Sequence, residues 1–144
     1  MKTHILFKRY IKNDPLQRKE IGFYHFGAKQ WYLNGERHRE DGPACEYNDG
    51  TKQWYLNGKR HREDGPAIEY NDGTKQWFLN GNYHREDGPA HIGRDGSKCW
   101  FLNGKRHRED GPALTYSNGY KEWWLNNNSF SEKEHREALK EYKR

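Results

Sequence analysis

Short apolar runs alternate with polar turns along this chain, and the same pattern returns every 23 residues. Tryptophan occurs at that interval, at Trp31, Trp54, Trp77, Trp100 and Trp123. The seven-residue block His-Arg-Glu-Asp-Gly-Pro-Ala occurs four times without change, beginning at His38, His61, His84 and His107. A fixed period of this length is typical of repeat proteins, in which each unit packs on its neighbours. The sequence therefore predicts tandem repeats over residues 27–126.

Each repeat has the pattern of two hairpin turns joined by short strands, as one copy shows. Residues 67–71 and 74–79 alternate in the way that predicts strands. Asp72-Gly73 separates these strands and Asn80-Gly81 follows the second, and both dipeptides favour a two-residue type I′ turn. Residues 84–89 are polar and end in proline, which predicts a connection outside the hydrogen-bonded ladder.

The turns also predict which side chains share a face, because successive residues of a strand point to opposite faces of the sheet. A two-residue loop at Asp72-Gly73 places Ile68 opposite Trp77. One face then carries Ile68, Trp77, Leu79 and His84, and the other carries Ala67, Glu69, Gln76, Phe78 and Tyr83. Stacked repeats are expected to form a Trp/Leu/His ladder on the first face and a Tyr/Phe ladder on the second.

These elements predict an all-β repeat fold, namely an elongated antiparallel β-hairpin meander that is nearly a single layer, with a short C-terminal capping helix. Residues 1–26 are expected to form an N-terminal capping segment with an edge strand. Residues 27–126 form the repeats, and residues 127–144 form the capping helix. Ser131 and Glu134 have the spacing of a capping box at the start of that helix.

The charge of the chain lies at its ends rather than in its repeats. The net charge is +5, but residues 27–126 carry 15 basic and 15 acidic side chains, whereas residues 1–26 carry six and two. A neutral array is a poor track for phosphates. Aromatic residues make up 15% of the chain and hydrophobic residues 31%, which indicates a thin aromatic core rather than disorder.

One copy carries a resemblance to a known repeat type. Residues 54–61, Trp-Tyr-Leu-Asn-Gly-Lys-Arg-His, and the later Asp72-Gly73 resemble MORN-type repeats, with Asp-Gly-Pro-Ala at residues 64–67 in place of Gly-x-Gly. The seven-residue block is similar to the His-Arg-Glu-Asp-Gly-Pro-Ala repeat proteins of bacteriophages and large DNA viruses. The resemblance covers about residues 27–126. It implies a non-catalytic array of β-hairpins that binds proteins or membranes.

The cysteines and the apolar runs bear on location. Cys45 and Cys99 are too few for a disulfide framework, and they are predicted to be free thiols on opposite faces. No apolar run reaches the ~18 residues of a membrane helix, and residues 1–10 are too charged for a signal peptide. We therefore expect a soluble cytoplasmic protein without a membrane span, located in the host cytoplasm if the chain is viral.

The His-Arg-Glu-Asp stretch combines residue types that bind metals or transfer protons. Equivalent histidines would lie ~10 Å apart, because each repeat adds two strands, and one zinc ion with bonds of ~2 Å cannot join them. The stretch is interpreted as framework, with His84 packed over Trp77 and with Arg85, Glu86 and Asp87 either in charge pairs between rungs or capping the link. A metal site within one copy is the minor alternative. No catalytic residue, metal site or cofactor is predicted.

Positions that differ between copies are the candidate binding residues, because repeat binders keep the framework and vary the recognition surface. They are Arg37, Arg60, Tyr83 and Arg106 at the hairpin tips, and His91, Gly93 and Arg94 in the third copy. Gly93 is expected to leave a gap in a row of tyrosines that accepts a side chain of a partner. Neutral variation on exposed tips is the alternative interpretation.

These observations lead to two expectations for function. The first is a non-enzymatic module that binds a protein partner through one edge or face, for which the resemblance suggests a phage-encoded inhibitor of a host or defence protein. A face-to-face homodimer is compatible with it. The alternative is nucleic-acid or nucleotide binding through the aromatic faces and the basic N-terminal segment, which contains Lys2, Lys8, Arg9, Lys12, Arg18 and Lys19.

Overall fold

A computed structural model describes residues 4–144, with side chains from Phe7 onward. These residues form strands β1 (His4–Tyr10), β2 (Lys19–His25), β3 (Ala28–Leu33), β4 (Glu36–Arg37), β5 (Cys45–Tyr47), β6 (Lys52–Gln53), β7 (Tyr55–Leu56), β8 (Lys59–Arg60), β9 (Ile68–Glu69) and β10 (Lys75–Gln76). They continue with β11 (Phe78–Leu79), β12 (Asn82–Tyr83), β13 (His91–Ile92), β14 (Lys98–Cys99), β15 (Phe101–Leu102), β16 (Lys105–Arg106), β17 (Leu114–Thr115), β18 (Lys121–Leu125) and β19 (Asn128–Phe130), and end with helix α1 (Glu132–Tyr142).

Most of the strands form one antiparallel sheet of 13 strands through which the chain meanders. The order is β1-β2-β3-β5-β6-β9-β10-β13-β14-β17-β18-β19, and β4 pairs with β3. Three hairpin tips form separate two-stranded sheets, β7 with β8, β11 with β12, and β15 with β16. The predicted antiparallel β-hairpin meander with a C-terminal helix is therefore confirmed.

The Asn-Gly tips adopt the predicted two-residue turn. Asn80 and Gly81 have φ angles of 49° and 83°, as a type I′ turn requires. Phe78 accordingly pairs with Tyr83 across the turn. The tip hairpins thus have the register that the sequence predicts.

The Asp-Gly turns are three-residue loops, so the predicted two-residue turn is wrong there. The amide of Tyr70 donates to the carbonyl of Thr74 at 2.9 Å, and the amide of Gly73 donates to the carbonyl of Tyr70 at 3.1 Å. Gly73 has a φ of 91°, as the left-handed residue that closes a three-residue loop. The carboxylate of Asp72 accepts the amide of Thr74 at 2.8 Å and holds this conformation.

The longer loop moves the register by one residue and exchanges the predicted faces of one strand. Ile68 lies opposite Gln76 rather than Trp77, and it therefore belongs to the Tyr/Phe face. Cys45 pairs with Gln53 and occupies the position of Ile68 in its own copy. Cys45 and Cys99 consequently lie on the same face, not on opposite faces as predicted. Both are free thiols, as predicted, and the structure shows that both are buried.

The core lies on the Tyr/Phe face, where the main sheet meets the hairpin tips. Ile68 is fully buried and Phe78 is 4% exposed. Together with Ala67 they form a cluster on which Tyr70 and Tyr83 pack. Trp77, on the other face, is only partly buried. Aromatic rings of one repeat thus cover the few aliphatic side chains.

The two ends of the array are covered differently. At the start, β1 lies at the edge of the sheet, and its Arg9 forms an ion pair with the fully buried Glu20. At the end, the predicted capping box of Ser131 and Glu134 is present in α1. His135 of that helix donates from Nε2 to the carbonyl of Arg108 at 2.8 Å. Among residues 4–144, no helix is both long enough and apolar enough to cross a membrane.

Candidate functional site

Each His-Arg-Glu-Asp-Gly-Pro stretch connects a hairpin tip to the main sheet, and we call it a link; the links are residues 38–43, 61–66, 84–89 and 107–112. In the second link, Arg62 donates from Nε to Asp64 at 2.8 Å and from Nη1 to the carbonyl of Pro66 at 3.1 Å. Its guanidinium lies 4.0 Å from the ring centroid of Trp54. The arginine therefore packs over the indole, not the histidine as predicted, and the charge pair lies within one link.

The geometry that the four links share also explains why each contains a glycine at the same position. A Cβ at Gly65 would lie 3.0 Å from the guanidinium carbon of Arg62, a distance at which one of the two groups must move. The arginine consequently lies between an indole and a bare backbone. Because Arg62 donates to Asp64, the pKa of that carboxyl is lowered. Asp87 and Asp110 have lowered pKa values for the same reason.

The histidine of each link holds the hairpin tip of the next repeat. His61 accepts the backbone amide of Asn80 at Nδ1, at 3.0 Å. The same bond joins His38 to Asn57, His84 to Asn103 and His107 to Asn126, at 3.0, 3.0 and 3.2 Å. A nitrogen that accepts a hydrogen bond carries no proton, so Nδ1 is bare and the neutral ring is protonated at Nε2. The histidines therefore act as framework between repeats.

Four of the predicted binding residues contact aromatic rings of the following repeat, although Arg60 stays exposed to solvent. Arg37, Arg60 and Arg106 place their guanidinium groups 5.5, 5.3 and 5.0 Å from the rings of Tyr55, Phe78 and Trp124 in the following repeat. Tyr83 replaces the arginine in the third copy and stacks on Phe101, with ring centroids 4.9 Å apart. These residues form one alternating series that we call the stack: Tyr32, Arg37, Tyr55, Arg60, Phe78, Tyr83, Phe101, Arg106 and Trp124.

The other three predicted residues belong to the third copy, where the ring of His91 meets Tyr83 of the stack edge to face, with centroids 6.5 Å apart. His91 is half-buried, its Nδ1 lies 3.3 Å from Nε2 of Gln76, and burial lowers its pKa. A Cβ at Gly93 would lie 2.5 Å from Oγ of Ser97, so the expected gap holds a local side chain. Arg94 is exposed. Binding at these positions stays a prediction.

Successive links enclose three open grooves that sequence reasoning missed. Their volumes are about 860, 810 and 580 Å³. Each has a tryptophan and a leucine on its floor, such as Trp77 and Leu79, and link residues along both walls. The carboxylates protrude, with the side chains of Glu63 and Asp64 84% and 86% exposed, whereas Arg62 is 22% exposed. We call the links with these grooves the link face, and its outermost charges are negative.

The first link contains an additional buried carboxylate from β2. Glu20 accepts the amide of Glu40 at 2.9 Å, and its carboxylate lies 3.7 Å from Nε2 of His38. Within residues 4–144, no group of three or more His, Cys, Asp or Glu side chains has the geometry to hold a metal ion. The polar atoms of this cluster therefore join β2 to the first link.

The basic N-terminal segment is partly neutralised by ion pairs. Arg9 pairs with Glu20 and Asp41, and Arg18 pairs with Asp14 at 2.8 Å. The remaining lysines on this segment are exposed, namely Lys8, Lys12 and Lys19. Lys2 lies outside the described residues.

Comparisons with known proteins do not assign this chain to a family, so a proposal for its function rests on its sequence and structure. The sequence matches no protein-family model and no curated protein, and the fold matches no solved structure.

Proposed function

We propose that this chain is a non-enzymatic protein-binding repeat module and that the link face is its binding surface. The observation that carries the proposal is the set of three similar grooves, each open to solvent and floored by Trp and Leu. The histidines beside them join successive repeats, as His61 does, and the arginines are engaged within their own links, as Arg62 is with Asp64. What the grooves offer is shape, apolar floor and protruding negative charge, which suits binding rather than group transfer.

The charge of the link face indicates the chemistry of the partner. Exposed carboxylates line every groove, while the link arginines are covered by their own carboxylates and by indole rings. Such a surface complements a basic protein surface and repels phosphates. Apolar side chains of the partner would reach the groove floors between these carboxylates.

The resemblance adds an expected biological setting to this proposal. MORN-like hairpin repeats of the phage and large-virus type imply a protein that acts on a host protein, and inhibition of a host or defence protein is the corresponding function. The cytoplasm of the host is the corresponding location. The source, the partner and a homodimeric state stay predictions.

The alternative function is nucleic-acid binding through the N-terminal segment. The exposed lysines Lys8, Lys12 and Lys19 favour it. The aromatic rings that were expected to stack on bases are instead covered by arginines, as Phe78 is by Arg60. This candidate is distinguished by salt, because phosphate binding weakens steeply as salt concentration rises.

A capture experiment with matched variants tests the proposal. The chain is immobilised, retained proteins from the native host are identified, and the affinity for the purified partner is measured. Glu63→Lys with Glu86→Lys reverses two exposed charges of the link face, and Lys59→Glu with Lys105→Glu is the control at the exposed tips. We expect the first pair to weaken binding about tenfold or more and the control to keep it. Loss in the control alone would place the site at the tips, and retention of nucleic acid alone would contradict the proposal.

A further inference from the structure

The three grooves of the link face form one regular series. The second link, with Arg62, Glu63 and Asp64, is a wall of both the first and the second groove. The third link is shared in the same way by the second and the third groove. Each repeat adds two strands to the main sheet. Because neighbouring strands lie about 4.8 Å apart, equivalent grooves recur at about 9.6 Å.

Each groove combines a partly exposed apolar floor with protruding carboxylates. Trp77 and Leu79 on the floor of the second groove are both partly exposed. The side chains of Glu86 and Asp87 on its wall are 85% exposed, whereas Arg85 beside them is 24% exposed. An apolar side chain that enters the groove is thus flanked by negative charge, and basic groups of the same partner would lie over the walls.

Other elements pack against the first and the last link. At the start of the series, Arg9 of β1 forms an ion pair with Asp41 of the first link. At its end, α1 lies against the fourth link, where His135 donates to the carbonyl of Arg108 at 2.8 Å. The four links therefore enclose three grooves, and a longer occupant would find no fourth groove of this kind.

The spacing of the grooves selects the conformation of the occupant. Side chains on one face of a β-strand repeat at about 6.7 Å, and every seventh residue of an α-helix repeats at about 10.5 Å. A polyproline II helix has three residues per turn and a rise of about 3.1 Å, so every third side chain points the same way at about 9.3 Å. From the first groove to the third, it departs from register by about 0.6 Å, the α-helix by about 2 Å and the strand by about 6 Å.

We propose that the link face binds a basic, proline-rich segment of its partner in the polyproline II conformation, with an apolar side chain at every third position. Three such side chains would enter the grooves over Leu56, Leu79 and Leu102, and lysine or arginine between them would face the link carboxylates. Proline-rich segments dock on aromatic grooves in this way because their preformed helix loses little entropy on binding. The inference rests on the proposed function, since it specifies the partner of the same surface.

Two synthetic peptides of equal composition test the spacing. The periodic peptide is three copies of Leu-Pro-Lys. The permuted peptide is Leu-Pro-Leu-Pro-Lys-Lys-Leu-Pro-Lys, whose leucines do not recur at every third position. Both carry the same charge, so electrostatic attraction alone would give them equal affinity. We expect the periodic peptide to bind about tenfold more tightly in fluorescence anisotropy, since its leucines bury apolar surface in all three grooves together. Equal affinity would overturn the proposal.

A length series tests the number of grooves. Peptides with increasing numbers of Leu-Pro-Lys units are compared on the same protein. We expect the affinity to rise about fivefold with the second unit and again with the third, and to change no more than about twofold with the fourth, because no further floor is buried. An equal rise with the fourth unit would show that charge rather than the groove floors holds the peptide, and it would refute the proposed spacing.

Labelled methyl groups locate the bound peptide on the protein. The periodic peptide should shift the methyl signals of Leu56, Leu79 and Leu102 on the groove floors. Leu16, which is exposed in the N-terminal segment, should keep its signal and serves as the internal control. Shifts that leave all three floor leucines unchanged would place the peptide elsewhere and contradict the proposal.

Matched variants separate this inference from the proposed function. Glu63→Lys with Glu86→Lys should weaken binding of the periodic peptide about tenfold, and Lys59→Glu with Lys105→Glu should keep it. If a host partner is captured through Glu63 and Glu86 while the two peptides bind equally, the polyproline II segment is wrong and the link face remains the binding surface. If neither the captured partner nor the periodic peptide depends on these carboxylates, both proposals are wrong.

Discussion

The arginine of each link satisfies several groups of one repeat at the same time. Arg62 contacts an indole ring, donates to a carboxylate and a backbone carbonyl, and also bonds Glu69 of the main sheet at 3.1 Å. A planar cation with five donors can do this, and a lysine cannot. In a chain poor in aliphatic residues, such contacts replace part of a conventional core.

At the residue scale, the two aromatic rows should differ in their contribution to stability. Phe78 is buried in the stack, whereas Trp77 is only partly buried under Arg85. Phe78→Ala should lower the free energy of unfolding by about 3–5 kcal/mol, as expected for a buried phenylalanine. Trp77→Ala should lower the free energy of unfolding by a smaller amount. Urea unfolding of both variants measures these free energies. A larger loss for Trp77→Ala than for Phe78→Ala would show that the core lies on the tryptophan face rather than on the Tyr/Phe face.

Acid should weaken the fold through the link carboxylates. The pKa values of Asp64, Asp87 and Asp110 are lowered by the arginines that donate to them. A carboxyl with a lowered folded pKa stabilises the protein above its unfolded pKa of about 3.9, and this contribution is lost as pH falls through the folded value. We expect the urea midpoint to fall below about pH 4. The triple Asp→Asn variant should show a shallower decline, and an unchanged slope would contradict this.

The two thiols should be protected in the folded protein. Burial raises the pKa of Cys99 to about 11, and it also raises the pKa of Cys45. Since the thiolate is the reactive form, alkylation by iodoacetamide at pH 8 should be slow in the folded state and fast in urea. Mass spectrometry of the two states measures this. Rapid modification of either folded thiol would show that its burial is incorrect.

At the element scale, the two turn types show what local sequence can predict. Asn80-Gly81 and Asp72-Gly73 both favour positive φ angles, and only the first dipeptide forms a two-residue turn. The difference comes from the Asp72 carboxylate, which accepts the amide of Thr74 and leaves positive φ to Gly73. The dipeptide alone does not specify this competition. One loop residue then reverses the face of Ile68 and Cys45.

The capping box of α1 should stabilise that helix locally. Ser131 accepts the amide of Glu134, and the Glu134 carboxylate accepts the amide of Ser131. Ser131→Ala should cost about 1 kcal/mol of helix stability and speed hydrogen exchange of the α1 amides. Ser129→Ala, at an exposed position of β19, is the control. If the β9 and β10 amides exchange faster as well, the helix is coupled to the entire sheet.

At the scale of the whole molecule, the period predicts the architecture but not how the hairpin tips pack on one another. Strict recurrence of Trp and of the link block is enough to infer stacked hairpins. The tips were assigned to binding because Arg37 and Arg60 differ from Tyr83 at equivalent positions. That variation instead follows what stacks on the next ring, a contact between residues 18 apart such as Arg37 and Tyr55. Sequence spacing does not reveal this contact, because packing determines which side of one hairpin tip faces the next tip.

Removal of one whole repeat should leave an unbroken series of contacts between the remaining repeats. Deleting residues 50–72 joins Asp49 to Gly73 and restores an Asp-Gly loop. Arg37 then faces Phe78 in place of Tyr55, which is the same type of contact that Arg60 makes now. Since stability in repeat proteins is a sum over units and their interfaces, the shorter chain should still fold.

The same reasoning predicts the failure of a deletion that is out of register. Removal of residues 50–60 takes away β6, β7 and β8 but leaves the link at His61 without its tip. We expect the whole-repeat deletion to unfold in urea in one transition with a lower midpoint and a smaller m value, since less surface is exposed. The partial deletion should lack near-ultraviolet circular dichroism. If both deletions unfold the chain, stability is shared across the array and the nearest-neighbour description is wrong; if both fold alike, the stack is dispensable.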